Sequence, residues 1–350
     1  MDSSRRTVIT GARVIDGTGN PWFYGDVVLE GETIAEIAPA GQATRGGSVD
    51  IIDGSGFVVC PGFIDIQSHS IVPFLIDRRS LSKVTQGVTT EIMGEAWTPS
   101  PFGGRIADPF RESWSRIPGD HAVWGELARS WTRFGDWLGW LEAQGISVNV
   151  GSFVGGGTVR EWGKGLALGD AIRDERDAMT AMLAAAMEDG AFGIATALIY
   201  PPGCYAGTEE LIELCEVVAA FRGVHITHLR SEESRLLEGL AEAIDIARRT
   251  GVATEIYHLK AAGRPNWGKM SEVIRRIDAA RDDGIDITAD MYPYEAAGTG
   301  LASCLPRGRK PTASSGTICV IPSHAPASVR PCWIRRRTGK ISARARGQMV

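Results

Sequence analysis

The chain has 350 residues, a formal net charge of -5 and 43% hydrophobic residues, enough for one large or two ordinary domains with a sizeable core. No run of about 18 apolar residues occurs, which excludes a membrane-spanning helix on length, and the first six residues lead into a strand pattern rather than the apolar core of a signal peptide. Six scattered cysteines without a CxxC pair point to reduced thiols in the cytoplasm, not to a disulfide frame or a structural zinc knot.

Residues 1–60 read as a small sheet or β-sandwich domain. Short strands are predicted at Thr7–Thr10, Ala12–Ile15, Asp26–Glu30, Thr33–Ile37, Val49–Ile52 and Phe57–Cys60, separated by turn signals such as Asp16-Gly17 and Asp53-Gly54. From residue 61 strand-like runs alternate with amphipathic helices, the sign of an α/β protein with a parallel sheet. The predicted strands follow Pro61-Gly62 and lie at Thr89–Met93, Val148–Val154, Gly193–Tyr200, Val224–Leu229, Thr254–Leu259 and Ile285–Met291. Helices are predicted near Arg78–Thr85 and over Trp131–Ala143, Asp174–Glu188, Thr208–Ala220, Glu232–Arg249 and Trp267–Arg281, with a long rim loop containing some helix over Ala96–Val123. Seven such strands are one short of a closed eight-stranded β/α (TIM) barrel, which usually takes about 250 residues. A doubly wound sheet competes, but it would want a Gly-rich phosphate loop after its first strand, and here Pro61-Gly62 precedes that strand.

In a parallel β/α protein the carboxyl ends of the strands face the active-site mouth. His69, Glu95, His228 and His258 all stand where an apolar run gives way to polar residues. Imidazole and carboxylate are the ligands of a catalytic zinc that keeps a position open for water. Taken singly, each histidine reads as well as a packed or surface residue; four at one presumed rim tip the reading toward a metal. His121, His225 and His324 have no such placement and read as structural. Gly155-Gly156-Gly157 suits a loop needing positive φ or a close backbone approach. Arg230 and Glu232 read as a surface pair or a brace beside His228, and Asp290 as a turn cap or an orienting carboxylate.

At these residues the chain resembles the amidohydrolase superfamily, and within it the N-acyl-D-amino-acid deacylases (D-aminoacylases). The matching stretches are PGFIDIQSH (61–69), QGVTTEIMG (86–94), LIYPPGCY (198–205), THLRSE (227–232), YHLKAAG (257–263) and DMYPY (290–294), in family order over roughly residues 7–306. The resemblance implies a metal-bearing barrel over 61–306 and hydrolysis of the linear amide of N-acyl-D-amino acids, small-molecule substrates, to a carboxylate and a D-amino acid. It implies no nucleic-acid or membrane partner. His228 and His258 match the family's zinc-holding histidines. The family's third ligand, a cysteine, falls at Ala96, so Glu95 is the substitute expected from proximity. Gln67 replaces the first histidine of the family's HxH, which leaves His69 as a neighbour and favours a single zinc. Lys260 and Tyr292 resemble positions that hold the substrate carboxylate; a solvated lysine and a packed tyrosine are the plainer readings. A cyclic amidase of the dihydropyrimidinase or dihydroorotase kind is the rival enzyme, but it needs an intact HxH and a bridging lysine. A non-catalytic truncated product is the rival from another class.

The resemblance stops near Pro306. Ten basic and no acidic residues follow, so residues 1–306 hold 27 basic against 42 acidic residues, a net -15. Residues 307–350 show no sustained period and read as a basic, disordered tail outside the family pattern, with a nucleic-acid or membrane arm as the functional alternative. No residue matches the family's strand-eight aspartate, which moves the proton of the attacking water to the leaving amine, so the catalytic residue is unassigned and weak activity is expected of the 350-residue chain. A reading-frame change near codon 306 explains both the lost resemblance and the change of composition. It predicts that another frame of the downstream DNA encodes an eighth strand with an Asp; sequencing that finds no such frame contradicts it.

Overall fold

The computed structural model describes residues 6–44, 46, 49–110, 119–294, 298, 334–335 and 341–342. They fall into two compact units, Met1–Ile64 with Thr85–Thr90, and Asp65–Val84 with Glu91–Val350.

In the first unit β1 (Arg6–Val14), β2 (Phe23–Glu30), β3 (Thr33–Pro39) and β4 (Val49–Asp53) form one sheet in the order β3-β2-β1-β4, and β5 (Val58–Val59) also pairs with β1. The two strands predicted between Thr7 and Ile15 are one strand whose register against β2 shifts between Ile9 and Ala12. The buried Asp26 carboxylate holds that irregularity, accepting the Gly11 N–H at 2.8 Å and the Gly41 N–H at 2.8 Å. Val8, Val28, Ala38 and Ala43 make the core. Among the described residues β1–β5 make a single sheet, not two packed faces.

From residue 63 onward strand and helix alternate. After β6 (Phe63–Asp65) come α1 (Ile71–Ile76), α2 (Leu81–Val84), β7 (Val88–Met93), α3 (His121–Arg129), α4 (Phe134–Gln144), β8 (Asn149–Ser152) and β9 (Val154–Gly155). They are followed by α5 (Gly156–Lys164), α6 (Arg173–Glu188), β10 (Gly193–Ala197), α7 (Thr208–Ala220), β11 (Val224–His228), α8 (Leu236–Thr250), β12 (Ala253–Ile256), α9 (Met270–Asp282) and β13 (Ile287–Ala289). The sheet β9-β10-β11-β12-β13 is parallel throughout, with Ala197 opposite His228 and Thr227 opposite Ile256. β10 is buried at all five positions, as expected of a parallel strand covered on both faces. A second sheet takes the order β6-β7-β8. Met179, Leu183, Ile194, Leu211 and Val218 join helices α6 and α7 to β10 in the main core, each apolar side chain contributing about 1.5–3 kcal/mol when fully buried.

Two helices depart from the sequence reading. Helix α1, absent from it, holds Pro73 in its first turn, where a proline removes no intrahelical hydrogen bond. Helix α3 supplies helix at the end of the rim loop, as expected, and runs on to Arg129; Asp120 caps it, its carboxylate accepting the Val123 N–H at 3.2 Å. The glycine run 155–157 opens helix α5 instead of a loop. Two-residue strands at Ile334–Arg335 and Ile341–Ser342 pair antiparallel; the expected disorder of the tail otherwise lies outside the described residues. No helix among the described residues is long and apolar enough to cross a membrane.

Glu175 ties the start of α6 to α5. It accepts the Ile172 N–H at 3.0 Å, Lys164 at 3.1 Å and Arg105 at 2.7 Å. Burial pushes its pKa up, but these donors outweigh burial and hold it at about 2. A folded-state pKa below the unfolded value gives stability that is present above about pH 4.5 and fades as pH falls toward 2. Glu175→Gln is therefore expected to lower Tm near pH 7 by about 2–6 °C. Thermal melts by circular dichroism should show the gap to wild type closing below pH 4.5; a gap independent of pH contradicts this account.

Candidate metal centre

All the residues singled out at strand ends lie in the second unit. Strand β7 ends at Met93, and Gly94 turns the chain at φ +108°, where an added Cβ would lie 2.1 Å from the Phe153 carbonyl oxygen. Only glycine fits, and the turn delivers the Glu95 side chain, 9% exposed, to the rim. Ala96 follows at φ +58°. Its carbonyl accepts the Gly157 N–H at 2.7 Å, and a Cβ at Gly155 would sit 2.3 Å from the Trp97 Cα. The glycines of 155–157 thus serve close backbone packing and not positive φ, which none of them has.

His228 closes β11 and is buried. Its Nδ1 lies 3.1 Å from the Leu229 carbonyl oxygen. A carbonyl can only accept, so Nδ1 carries the hydrogen and the Nε2 lone pair is left for another partner. His258 follows β12 at φ +37°, a strained conformation for a residue with a Cβ. Its N–H donates to Asp290 Oδ1 at 2.5 Å, which helps hold it there. The two imidazoles stand 4.5 Å apart at 85°. His258 Nε2 lies 3.9 Å from Glu95 Oε1, and His69 Nε2 lies 3.0 Å from Glu95 Oε2.

The electrostatics follow the same contacts. Burial pushes Glu95 up, but His69, the Gln67 side chain and His228 bring its pKa down to about 2, so it is a carboxylate at neutral pH. The Glu95 hydrogen bond raises His69, whereas burial lowers His228 and favours its neutral, ligating form. An ionised Glu95 makes His69 Nε2 a donor, so His69 serves the carboxylate. Its ring is largely exposed, which limits what that ion pair adds to stability.

A second carboxylate enters from the loop after β11. Glu232 Oε1 lies 3.0 Å from His258 Nδ1, 3.7 Å from His228 Nδ1 and 2.6 Å from Lys260 Nζ. Ligating atoms of His228, Glu232 and His258 all fall within 4.8 Å of one another. The expected pairing of Arg230 with Glu232 is absent, because Arg230 is committed to Glu242 at 2.6 and 2.7 Å. Lys260 sits 5.7 Å from the centre of the Tyr292 ring, itself 6.3 Å from the His258 ring. His225, read as structural, is fully buried against Thr196 at 3.0 Å, and burial lowers its pKa to about 4. His324 lies outside the described residues.

The donor set fits zinc. Two imidazoles with engaged Nδ1 atoms and Nε2 atoms left over, beside an ionised carboxylate, match the chemistry of a catalytic zinc site. Asp290 Oδ2 and the Tyr257 hydroxyl are buried with no hydrogen-bond partner among the described residues, polar capacity that an empty apolar core would not carry. Three participants were missed or undervalued in the sequence. Gln67 supports Glu95, and buried Glu91 gathers the hydroxyls of Ser68, Ser70 and Ser80, fixing the turn that carries His69. Glu232 is the third; its four-residue spacing from His228 was the available signal.

No protein-family model matches the chain. It is 34% identical over 305 residues to the N-acyl-D-glutamate deacylase of Alcaligenes xylosoxydans xylosoxydans, spanning 86% of this chain and 59% of that protein. Among solved structures, a D-aminoacylase matches with a TM-score of 0.73 and 33% identity over 82% of this chain and 58% of its own. The N-acyl-D-glutamate deacylase from Bordetella bronchiseptica, solved with zinc and a phosphonate mimic of the tetrahedral intermediate, matches with a TM-score of 0.71 and 30% identity over 83% and 59%. The chain spans less than three-fifths of the length of each of these proteins.

Because a Cβ at Gly155 would strike the Trp97 backbone, Gly155→Ala must displace the segment that follows Glu95. The expected cost is about 1–3 kcal/mol, read as a lower midpoint in urea unfolding; an unchanged midpoint contradicts the packing described.

Proposed function

We propose that this chain, which belongs to the D-aminoacylase family of the amidohydrolase superfamily, carries the zinc site of an N-acyl-D-amino-acid deacylase. The observation that carries the reading is the Glu95 carboxylate 3.9 Å from His258 Nε2, with the His228 ring 4.5 Å from that of His258 and no cysteine at the position where the family has one. His228, His258 and Glu95 hold one zinc ion. His69 and Gln67 fix the carboxylate from the other side. With Gln67 in place of a histidine, a second ion on that side lacks a ligand. This separates the chain from a binuclear centre such as the one described for D-aminoacylase, and it counts against a cyclic amidase.

A zinc ion held by these residues would lower the pKa of water and polarise the acyl carbonyl. The remaining work falls to the chain's own residues. Lys260 and Tyr292, on the His258 side of the site, hold the substrate carboxylate, and Lys260 must share its charge between that group and Glu232. Water adds to the acyl carbon and the C–N bond breaks, giving a carboxylate and a D-amino acid. The residue that carries the proton to the amine stays unassigned.

For the architecture we read a small β domain over 1–60, a barrel over 61–306 and a non-family tail over 307–350. Supporting the barrel, β8 and β9 are separated only by Phe153, so one chain segment serves the sheet β6-β7-β8 and the parallel sheet β9–β13. Counting β8 and β9 as one segment, the two sheets supply seven strands in sequence order.

Zinc content after dialysis tests the site. One zinc per chain is expected in wild type, with loss in His228→Ala and His258→Ala and at least about tenfold weaker binding in Glu95→Ala. Full zinc content in Glu95→Ala would remove Glu95 from the ligand set, and full content in both histidine variants would overturn the reading.

A further inference from the structure

We infer that Glu232 is the positioning residue of this centre, selecting the hydrogen-bonding form of His258 that leaves Nε2 open to a metal. The inference rests on the reading that His258 is a ligand, and it concerns a residue outside the proposed ligand set.

His258 Nδ1 has two neighbours of opposite character. Glu232 Oε1, 3.0 Å away, accepts only; Lys260 Nζ, also 3.0 Å away, donates only. If Lys260 wins, Nδ1 becomes an acceptor, the ring hydrogen of the neutral imidazole moves to Nε2, and His258 presents an N–H where a ligand needs a lone pair. If Glu232 wins, Nδ1 keeps the hydrogen and Nε2 keeps its lone pair on the side of Glu95. The distances favour Glu232. Lys260 lies closer to Glu232 Oε1, at 2.6 Å, than to His258 Nδ1, and the His258 carbonyl offers Lys260 a further acceptor at 3.0 Å. The ammonium is thereby occupied without drawing on the imidazole.

Glu232 is suited to this role by its setting. Its side chain is only 12% exposed, so solvent screens the contacts weakly. It engages the Nδ1 side of His258, opposite the atom that faces Glu95, which is the outer-carboxylate arrangement that fixes a metal-binding histidine. His228 needs no such help, because the Leu229 carbonyl already settles its form.

Zinc affinity by competition with a chromogenic chelator, measured on the whole chain, tests the inference. Glu232→Gln is expected to weaken zinc binding about 10–100-fold, while the metal-free protein keeps the wild-type circular dichroism spectrum. Adding Lys260→Met removes the competing donor, so the double variant should recover about fivefold or more of that loss. Wild-type affinity in Glu232→Gln, or a loss that Lys260→Met leaves untouched, overturns the inference. His258→Ala serves as the reference: if it binds zinc like wild type, the metal site itself is wrong; if it loses zinc while Glu232→Gln does not, only the inference fails. Long-range 1H–15N correlation on the metal-free wild type needs no variant. A hydrogen on His258 Nδ1 supports the inference, and one on Nε2 overturns it.

Discussion

The chemistry of the rim depends on which nitrogen of each imidazole carries hydrogen. A histidine can ligate a metal only through a nitrogen with a free lone pair, and a neutral ring has one of those. At His228 a backbone carbonyl decides the matter. At His258 a carboxylate and an ammonium contend for the same nitrogen. Glu95, the third partner, is kept ionised by His69 and Gln67 against a burial that opposes its charge.

These contacts are possible because the scaffold places strand ends side by side. Ala197 lies opposite His228 and Thr227 opposite Ile256, so β10, β11 and β12 end at similar heights although dozens of residues separate them in the chain. The turn at Gly94 adds Glu95 to the same rim. There the packing tolerance is small, because neither Gly94 nor Gly155 has room for a Cβ. The strained φ of His258 belongs to the same economy of space: Asp290 takes up its N–H, and the ring is held at 4.5 Å from His228.

Much of this was legible in the sequence. Every strand expected from residue 61 onward has a counterpart, because apolar runs bounded by turn residues mark strands clearly, even where, as in β6, the strand is exposed. His228, His258, Glu95 and His69 do come together, as residues at the ends of such strands should. What was hidden depends on three-dimensional packing. The glycine run 155–157 looked like a flexible loop because the approach of the Trp97 backbone has no local signature. Helix α1 is absent from the sequence reading; its Pro73 sits in the first turn, where it is harmless. Arg230 and Glu232 looked like partners by proximity, but each found a better one, Glu242 and Lys260 respectively. Gln67 looked like a lost ligand; in the fold its side chain donates to the Glu95 carboxylate. Residues 307–333 lie outside the described part of the chain, so the expectation for the strand-eight aspartate stands where the sequence left it.

The central claim is that a carboxylate has taken the place of a thiolate beside two histidines. Zinc K-edge X-ray absorption on the zinc-loaded chain addresses it most directly. The account predicts a first shell of nitrogen and oxygen only, with about two imidazole ligands and metal–ligand distances near 2.0–2.2 Å. A sulfur scatterer near 2.3 Å, or a shell without imidazole, would contradict it.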